Sequence, residues 1–303
     1  NNYGYKGHSP LFQNVVFESN ETKYTNNDRR RGGAVYSYGS TPYFRDVTFI
    51  DNHTNRFGGA VYIGNTDKNK TLVFERTKFL NNHSTSNFVD NETFGGAVYL
   101  DWANKTIFEY STFDSNYVAI NGGCCSNDGG AINTHYQQDT LIVRNSKFHG
   151  NGVFVPEGND GGHANGGAIS VQNSQADIVI YNSLFEGNYV VSGVKNYEGG
   201  SDHKYSRGGA LYIQYEGELV NEEWVYLHKA LIFNNTFVNN IATTTSDNNS
   251  DGQAGSIATQ DGGVYKMVNN IFWGNQGKNV SGASNDFIIY NSGWEWQMGY
   301  NNL

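Results

Sequence analysis

The chain has 303 residues and a formal net charge of −9, and only 37% of its residues are hydrophobic, for a mean hydropathy of −0.59. Such a profile suits a disordered polymer, but 15% Phe, Trp and Tyr excludes one. The 20 Lys and Arg residues cluster only at Arg29, Arg30 and Arg31, which excludes nucleic acid as a partner, and no apolar run approaches the roughly 18 residues of a membrane helix.

With 37 glycines against 3 prolines, the glycines serve repeated turns rather than linkers. No signal-peptide pattern opens the chain, as expected of an exported protein whose signal has been removed. The two cysteines, Cys124 and Cys125, are adjacent; a bond between them is a strained vicinal ring, and pairing with another molecule or staying reduced are the alternatives. Asn-x-Ser/Thr occurs at Asn20, Asn52, Asn69, Asn82, Asn91, Asn104, Asn234, Asn248 and Asn279, so an exported chain is expected to carry glycans at these positions.

In chain order, two short motifs alternate. Phe-x-x-Asn appears first at Phe17 and Asn20 and recurs at Phe49, Phe79, Phe113, Phe148, Phe185, Phe237 and Phe272. Between these fall Gly-Gly-Ala triplets starting at Gly32, Gly58, Gly95, Gly129, Gly166 and Gly208, with an echo at Ala254-Gly255-Ser256. Five residues before each Phe the position is apolar: Phe12, Phe44, Phe74, Phe108, Val143, Ile180, Ile232, Met267 and, in an imperfect last unit with Trp294 and Gln297, Ile289. Period-two alternation of β-branched and aromatic residues predicts strands with one buried face. Asn-Ser pairs such as Asn145-Ser146 and Asn182-Ser183 predict turns, and after Gly-Gly the strand pattern resumes at Val35, Val61, Val98, Ile132, Ile169 and Leu211.

No unit contains a helical stretch, and every unit carries the same inward set. The prediction is an all-β chain: a single right-handed parallel β-helix of about nine coils spanning residues 1–303, with an inserted loop at about 215–229. At about 4.8 Å per coil it makes a rod on the order of 40 Å long. The repeated Phe and Asn are expected to stack as ladders along its axis.

The alternation of Gly-Gly-Ala-(Ile/Val/Leu) with Phe-x-x-Asn resembles the passenger repeats of the chlamydial polymorphic outer-membrane proteins, from Phe17 to about Asn275. The stretch Asn269–Asn275, "NNIFWGN", also looks like the endings of bacterial secreted β-helix proteins. The resemblance implies a β-helix displayed at the cell surface as an adhesin, carried in that family by a barrel that these residues do not include.

Candidate chemistry is sparse. The outward column four before the Phe holds Arg45, Glu75, Glu109 and Arg144, expected to form cross-strand ion pairs rather than an acid–base pair, so no catalytic residue is assigned. Turn-type loops place Asp128, Asp160 and Asp202 on one side of the stack, where they could ligate Ca²⁺; no other cofactor is expected. Tyr36, Tyr62 and Tyr99 face opposite to the inward Val column and predict an outward ladder suited to a sugar or a neighbouring subunit. Trp294 and Trp296 add an aromatic terminal surface, and uncapped ends invite head-to-tail stacking of copies. These features predict an extracellular, non-catalytic structural or adhesive protein, with itself or cell-surface glycans as partner. The alternative is a polysaccharide lyase or hydrolase whose groove adjoins the acidic insertion with Glu216, Glu218, Glu222, Glu223 and Trp224.

Overall fold

In the computed structural model the chain is a right-handed parallel β-helix, and the structure describes residues 8–22, 31–86, 92–120, 126–156, 163–193, 205–220, 223–225, 228–244, 251–260, 262–277, 286–289 and 296–299. The cysteine pair, Asn91, Asn248, Asn279, Asp160, Asp202, Glu222 and Trp294 lie outside these residues. Each full rung contributes up to five short strands, here called A to E in chain order. One rung, for example, runs Leu72–Glu75, Lys78–Leu80, His83–Ser86, Thr93–Phe94 and Val98–Asp101. Like strands of successive rungs pair in parallel, giving a nine-stranded sheet A, eight-stranded sheets B, C and E and a five-stranded sheet D among the described residues. Every connection returns a strand beside its parallel neighbour, the geometry for which right-handed crossover is strongly preferred.

Register follows the repeat. Phe49, Phe79 and Phe113 are cross-strand partners in sheet B, and Phe44 pairs Phe74 in sheet A. Their rings stack along the axis at 4.6–5.1 Å between centroids, from Phe12 to Phe108 in sheet A and from Phe17 to Phe272 in sheet B. With the inward residues of sheet E they form one dry core. Each buried ring contributes roughly 1.5–3 kcal/mol.

The repeated Asn of Phe-x-x-Asn closes the turn after sheet B. Asn116 is fully buried; its backbone N and Nδ2 both donate to Asn151 Oδ1 (3.0 and 2.9 Å), and Nδ2 also donates to the Phe79 carbonyl (2.9 Å). The same three bonds recur from Asn52 to Asn240, so the ladder satisfies turn amides that have no strand partner. A second ladder, of hydroxyls and amides, closes the turn between sheets A and B: Ser111 N donates to Ser146 Oγ and Ser146 N to Ser183 Oγ.

Gly-Gly is the pinch of the cross-section. The first glycine has φ between +61° and +69° in every triplet, the left-handed region. The second has no room for a side chain: a Cβ on Gly130 would stand 2.1 Å from the Gly167 carbonyl oxygen and 2.5 Å from the Gly152 backbone N of sheet C. Two backbones therefore meet there without side chains between them, and strands C and D bulge out as a side lobe with its own small core of Val118, Ile120, Val153, Val155, Ala164, Val190 and Ala242.

Two expectations are corrected. Ile289 does not continue the sheet A column after Met267; Phe287–Ile289 pairs with Ile257–Thr259 in sheet E, and Met298 takes the place beside Met267. Both strands read as apolar at period two, and that unit lacks the Gly-Gly that would have fixed its phase. The insertion also has structure: Glu218–Val220 and Glu223–Val225 pair as an antiparallel hairpin.

Gly130→Ala will lower stability by about 3 kcal/mol or more, because backbone must move on two sides. Gly187→Ala, at φ +62° with nothing within 4 Å, will cost only the left-handed strain, about 1 kcal/mol. Asn116→Ala will cost about 2–4 kcal/mol by stranding buried amides. Urea unfolding midpoints order the three variants; near-equal values for the two glycine variants would show that the pinch is not tight.

Candidate functional site in the seam outside sheet E

The carboxylates of sheet A are neutralised where they stand. Arg45 Nε donates to Glu75 Oε2 (2.9 Å), and Glu75 also takes bonds from Tyr43 Oη and Arg76, whose Nε reaches Asp46 Oδ1 at 2.7 Å. Arg144 Nε donates to Glu109 Oε2 at 2.9 Å. The Tyr43 hydroxyl, then Arg45 and Arg76, hold the Glu75 carboxyl below its ordinary range against the opposing effect of burial. Glu75 and Glu109 are register partners, and each is tied to an arginine.

An open groove of about 560 Å³ follows the turn between sheets A and B, lined by Tyr110, Asn145, Lys147, Asn182 and Asn234 among others. Ser111, Ser146 and Ser183 of the turn ladder also line it, and no carboxylate is among its lining residues.

The region with most unexplained polar chemistry lies on the outer face of sheet E. Strand D, or a single bridge in its place, leads into the pinch, and the residue before Gly-Gly, as at Phe57 and Phe94, packs against the outward residues of strand E. In the earlier rungs this seam is aromatic: Phe57, Tyr62, Phe94 and Tyr99 form one cluster, with Phe57 and Tyr99 rings 5.0 Å apart and the Arg31 guanidinium 4.9 Å over Tyr62. The predicted tyrosine ladder is thus a real stack (Tyr36–Tyr62, 5.1 Å), but not an open one. Tyr62 is 0% and Tyr99 4% exposed, while Tyr36 is 54% exposed. Alternation fixed their side of the sheet; the returning strand D covers them. Burial, then Asp101, raises the Tyr62 hydroxyl pKa, and that hydroxyl donates to Asp101 Oδ2 at 2.6 Å.

Further along, both walls of the seam turn polar together. Phe94 is followed in its column by Asp128 and Asn165, and Tyr99 by Asn133 and Ser170. Asp128 is therefore no solvated loop residue, as its turn-like context had suggested; it is fully buried in a D strand. Gln172 Nε2 donates to Asp128 Oδ2 at 2.6 Å and Asn133 Nδ2 donates to Gln172 Oε1 at 3.4 Å, while Asp128 Oδ1 has no hydrogen-bond partner. Burial pushes the Asp128 carboxyl up to about 8, with Glu92 adding to the rise and the Asn165 and Gln172 amides opposing it. Sequence reading missed Glu92, Asn133, Asn165, Ser170 and Gln172. The signal available was the simultaneous change of two columns, the one before Gly-Gly and the one after Ala.

An aromatic pair, one ring exposed and one partly buried, borders the seam. Trp102 (47% exposed) and Tyr136 stack at 4.7 Å, and His135 stacks on Tyr136 at 4.1 Å. Trp102 and Tyr136 have φ of 53° and 55° in a turn column otherwise held by Gly39, Asn65 and Asn173. Bulky residues rarely adopt that conformation. Trp296 opens the strand Trp296–Gly299.

The sequons divide by position. Asn52 and Asn82 are fully buried ladder residues, so both are corrected as glycan acceptors; Asn20 donates to the same ladder, and Asn104 Nδ2 donates to the Thr66 carbonyl at 2.6 Å. Asn69 and Asn234 are exposed.

Together these features define a parallel β-helix repeat protein with its distinctive chemistry on one outer seam. Residues 46–64, which span the turn after sheet A through Gly-Gly-Ala-Val-Tyr, match the family model of the Chlamydia polymorphic membrane protein repeat. The chain is thus a β-helix built on a repeat similar to that of those surface-associated proteins. No curated protein and no solved structure matches it.

Material secreted by a glycosylating host will carry glycan at Asn69 and none at Asn52 or Asn82, as read by glycopeptide mapping of the folded fraction. Glycan on either ladder asparagine would contradict the buried amide ladder.

Proposed function

We propose that this chain is a non-catalytic, surface-exposed β-helix that acts as a structural and adhesive element, with carbohydrate as the ligand of its outer aromatic face. The observation that carries the reading is the Trp102–Tyr136 stack. Two large rings are held in the solvent-facing turn on left-handed backbone that asparagine or glycine occupies at other rungs. That placement costs on the order of 1 kcal/mol per residue and adds no core packing, so its benefit lies outside the fold. Stacked rings with polar edges suit the apolar faces and hydroxyl rims of sugar rings. The neutralised carboxylates of sheet A support the non-catalytic part, and the repeat kinship supports the surface location. Assembly with further copies belongs to the same reading, since like rungs accept like rungs.

Trp102→Asn and Tyr136→Asn together restore the residue type of the column. The double variant will keep or raise the melting temperature and lose binding on an array of immobilised neutral and acidic glycans. Unchanged binding by a correctly folded double variant would overturn the adhesive assignment. Release of reducing ends or unsaturated uronides from polysaccharide by the unmodified chain, abolished in Glu223→Gln, would establish the lyase or hydrolase alternative instead.

A further inference from the structure

The polar segment of the seam calls for an occupant. At the preceding rungs the space between strand D and strand E is filled by four large rings, Phe57, Tyr62, Phe94 and Tyr99. At the next two rungs the same two columns supply Asp128, Asn165, Asn133 and Ser170, while strand pairing continues in register on both walls. The register is unbroken on both walls, so these short polar side chains stand in the columns that the rings hold at the preceding rungs. All four residues are buried, at 0–3% exposure. Asp128 Oδ1, Asn133 Oδ1, Asn165 Oδ1 and Ser170 Oγ have no hydrogen-bond partner. Native interiors rarely strand polar atoms, and four in one polar gap mark the place of a polar guest.

The charge chooses among guests. Neutral water satisfies amides and hydroxyls, but Asp128 brings a carboxylate into a fully buried site, and no Lys, Arg or His ion pair reaches it among the described residues. Arg207, the next residue in the column after Asn165, directs Nη1 to Gln260, and its charge opposes the rise at Asp128 without offsetting the burial. Glu92 adds a second acidic group nearby, itself half-buried and raised by that burial. A buried carboxylate demands a proton or a cation. The unpartnered atoms are all oxygen, which suits a hard ion and excludes soft thiolate-seeking metals. No group of three or more His, Cys, Asp or Glu side chains gathers among the described residues, so transition-metal chelation is not offered there.

We propose that the seam between strands D and E at Asp128 is a binding site for one hard cation of the calcium type, with the Asp128 carboxylate as the charged ligand and Asn133, Asn165 and Ser170 as neutral oxygen donors. The ion takes the volume that aromatic rings occupy at the preceding rungs and ties the side lobe to the outer face of sheet E. This site is independent of the glycan reading and stands or falls separately.

The test uses the full chain stripped with EDTA. Equilibrium dialysis with radioactive calcium will show one more bound equivalent for the unmodified chain than for Asp128→Asn, an isosteric change that retains the acceptor for Gln172. Calcium will raise the melting temperature of the unmodified chain at concentrations that leave Asp128→Asn unmoved. Ser170→Ala, which removes only a neutral donor, will weaken calcium binding about tenfold while leaving the stoichiometry intact. Equal stoichiometry in the unmodified chain and Asp128→Asn would overturn the proposal. So would a thermal response that sodium chloride reproduces at matched ionic strength, which would leave the chamber to water.

Discussion

Everything in this molecule depends on two backbones touching. At each rung the second glycine of the pair meets the next rung's glycine carbonyl and the start of a C strand, at separations (2.0–2.2 Å from an imagined Cβ to that oxygen) that admit no side chain. The contact closes sheets A, B and E around the phenylalanine core and expels strands C and D into a side lobe. Because strand D must come back to the pinch, it crosses the outer face of strand E. The seam follows from the glycine pair and is covered at Tyr62 and Tyr99, while Tyr36, beside the Gly32-Gly33 pair, stays 54% exposed.

The polar excess of the composition has the same origin. Turns between short strands need left-handed residues, and Asn14, Asn81, Asn145, Asn182, Asn234, Asn239 and Asn269 supply them. A further file, Asn52 to Asn275, supplies amides to the turn after sheet B. A chain that is only 37% hydrophobic can thus keep a dry core, since its phenylalanines point inward and its asparagines serve the corners. Several sequons are by-products of this demand: Asn52 and Asn82 are ladder residues, and Asn234 is a turn residue at φ 58°. Their number says more about turns than about compartment.

Periodicity made the inward faces legible because a one-residue slip would reverse every side chain, so Phe49, Phe79 and Phe113 could stand in only one register. It failed at Phe287–Ile289, where two strands of equal period competed and no glycine pair fixed the phase. The outer face failed for another reason. Alternation tells which side of a sheet a residue occupies and nothing about what lies over it. Tyr62, Tyr99 and Asp128 were correctly placed away from the main core, yet all three are buried under strand D. Only a column reading of the residue before Gly-Gly could have shown Phe57 and Phe94 facing the tyrosines, then Asp128 facing Asn133.

In a repeat protein the departures carry the information, because the repeat itself is accounted for by shape. Two departures here adjoin. The Trp102–Tyr136 pair and the Asp128 chamber share the last outward position of strand E, where Asp101, His135 and Gln172 are successive register partners. His135 stacks on Tyr136 and stands 3.3 Å by its Nδ1 from the Tyr99 hydroxyl, while Gln172 reaches into the seam to Asp128. The aromatic pair and the buried carboxylate are therefore two ends of one contiguous set of side chains. Gln172 stands between the two: it donates to Asp128 in the covered seam and continues the strand column in which His135 stacks on Tyr136.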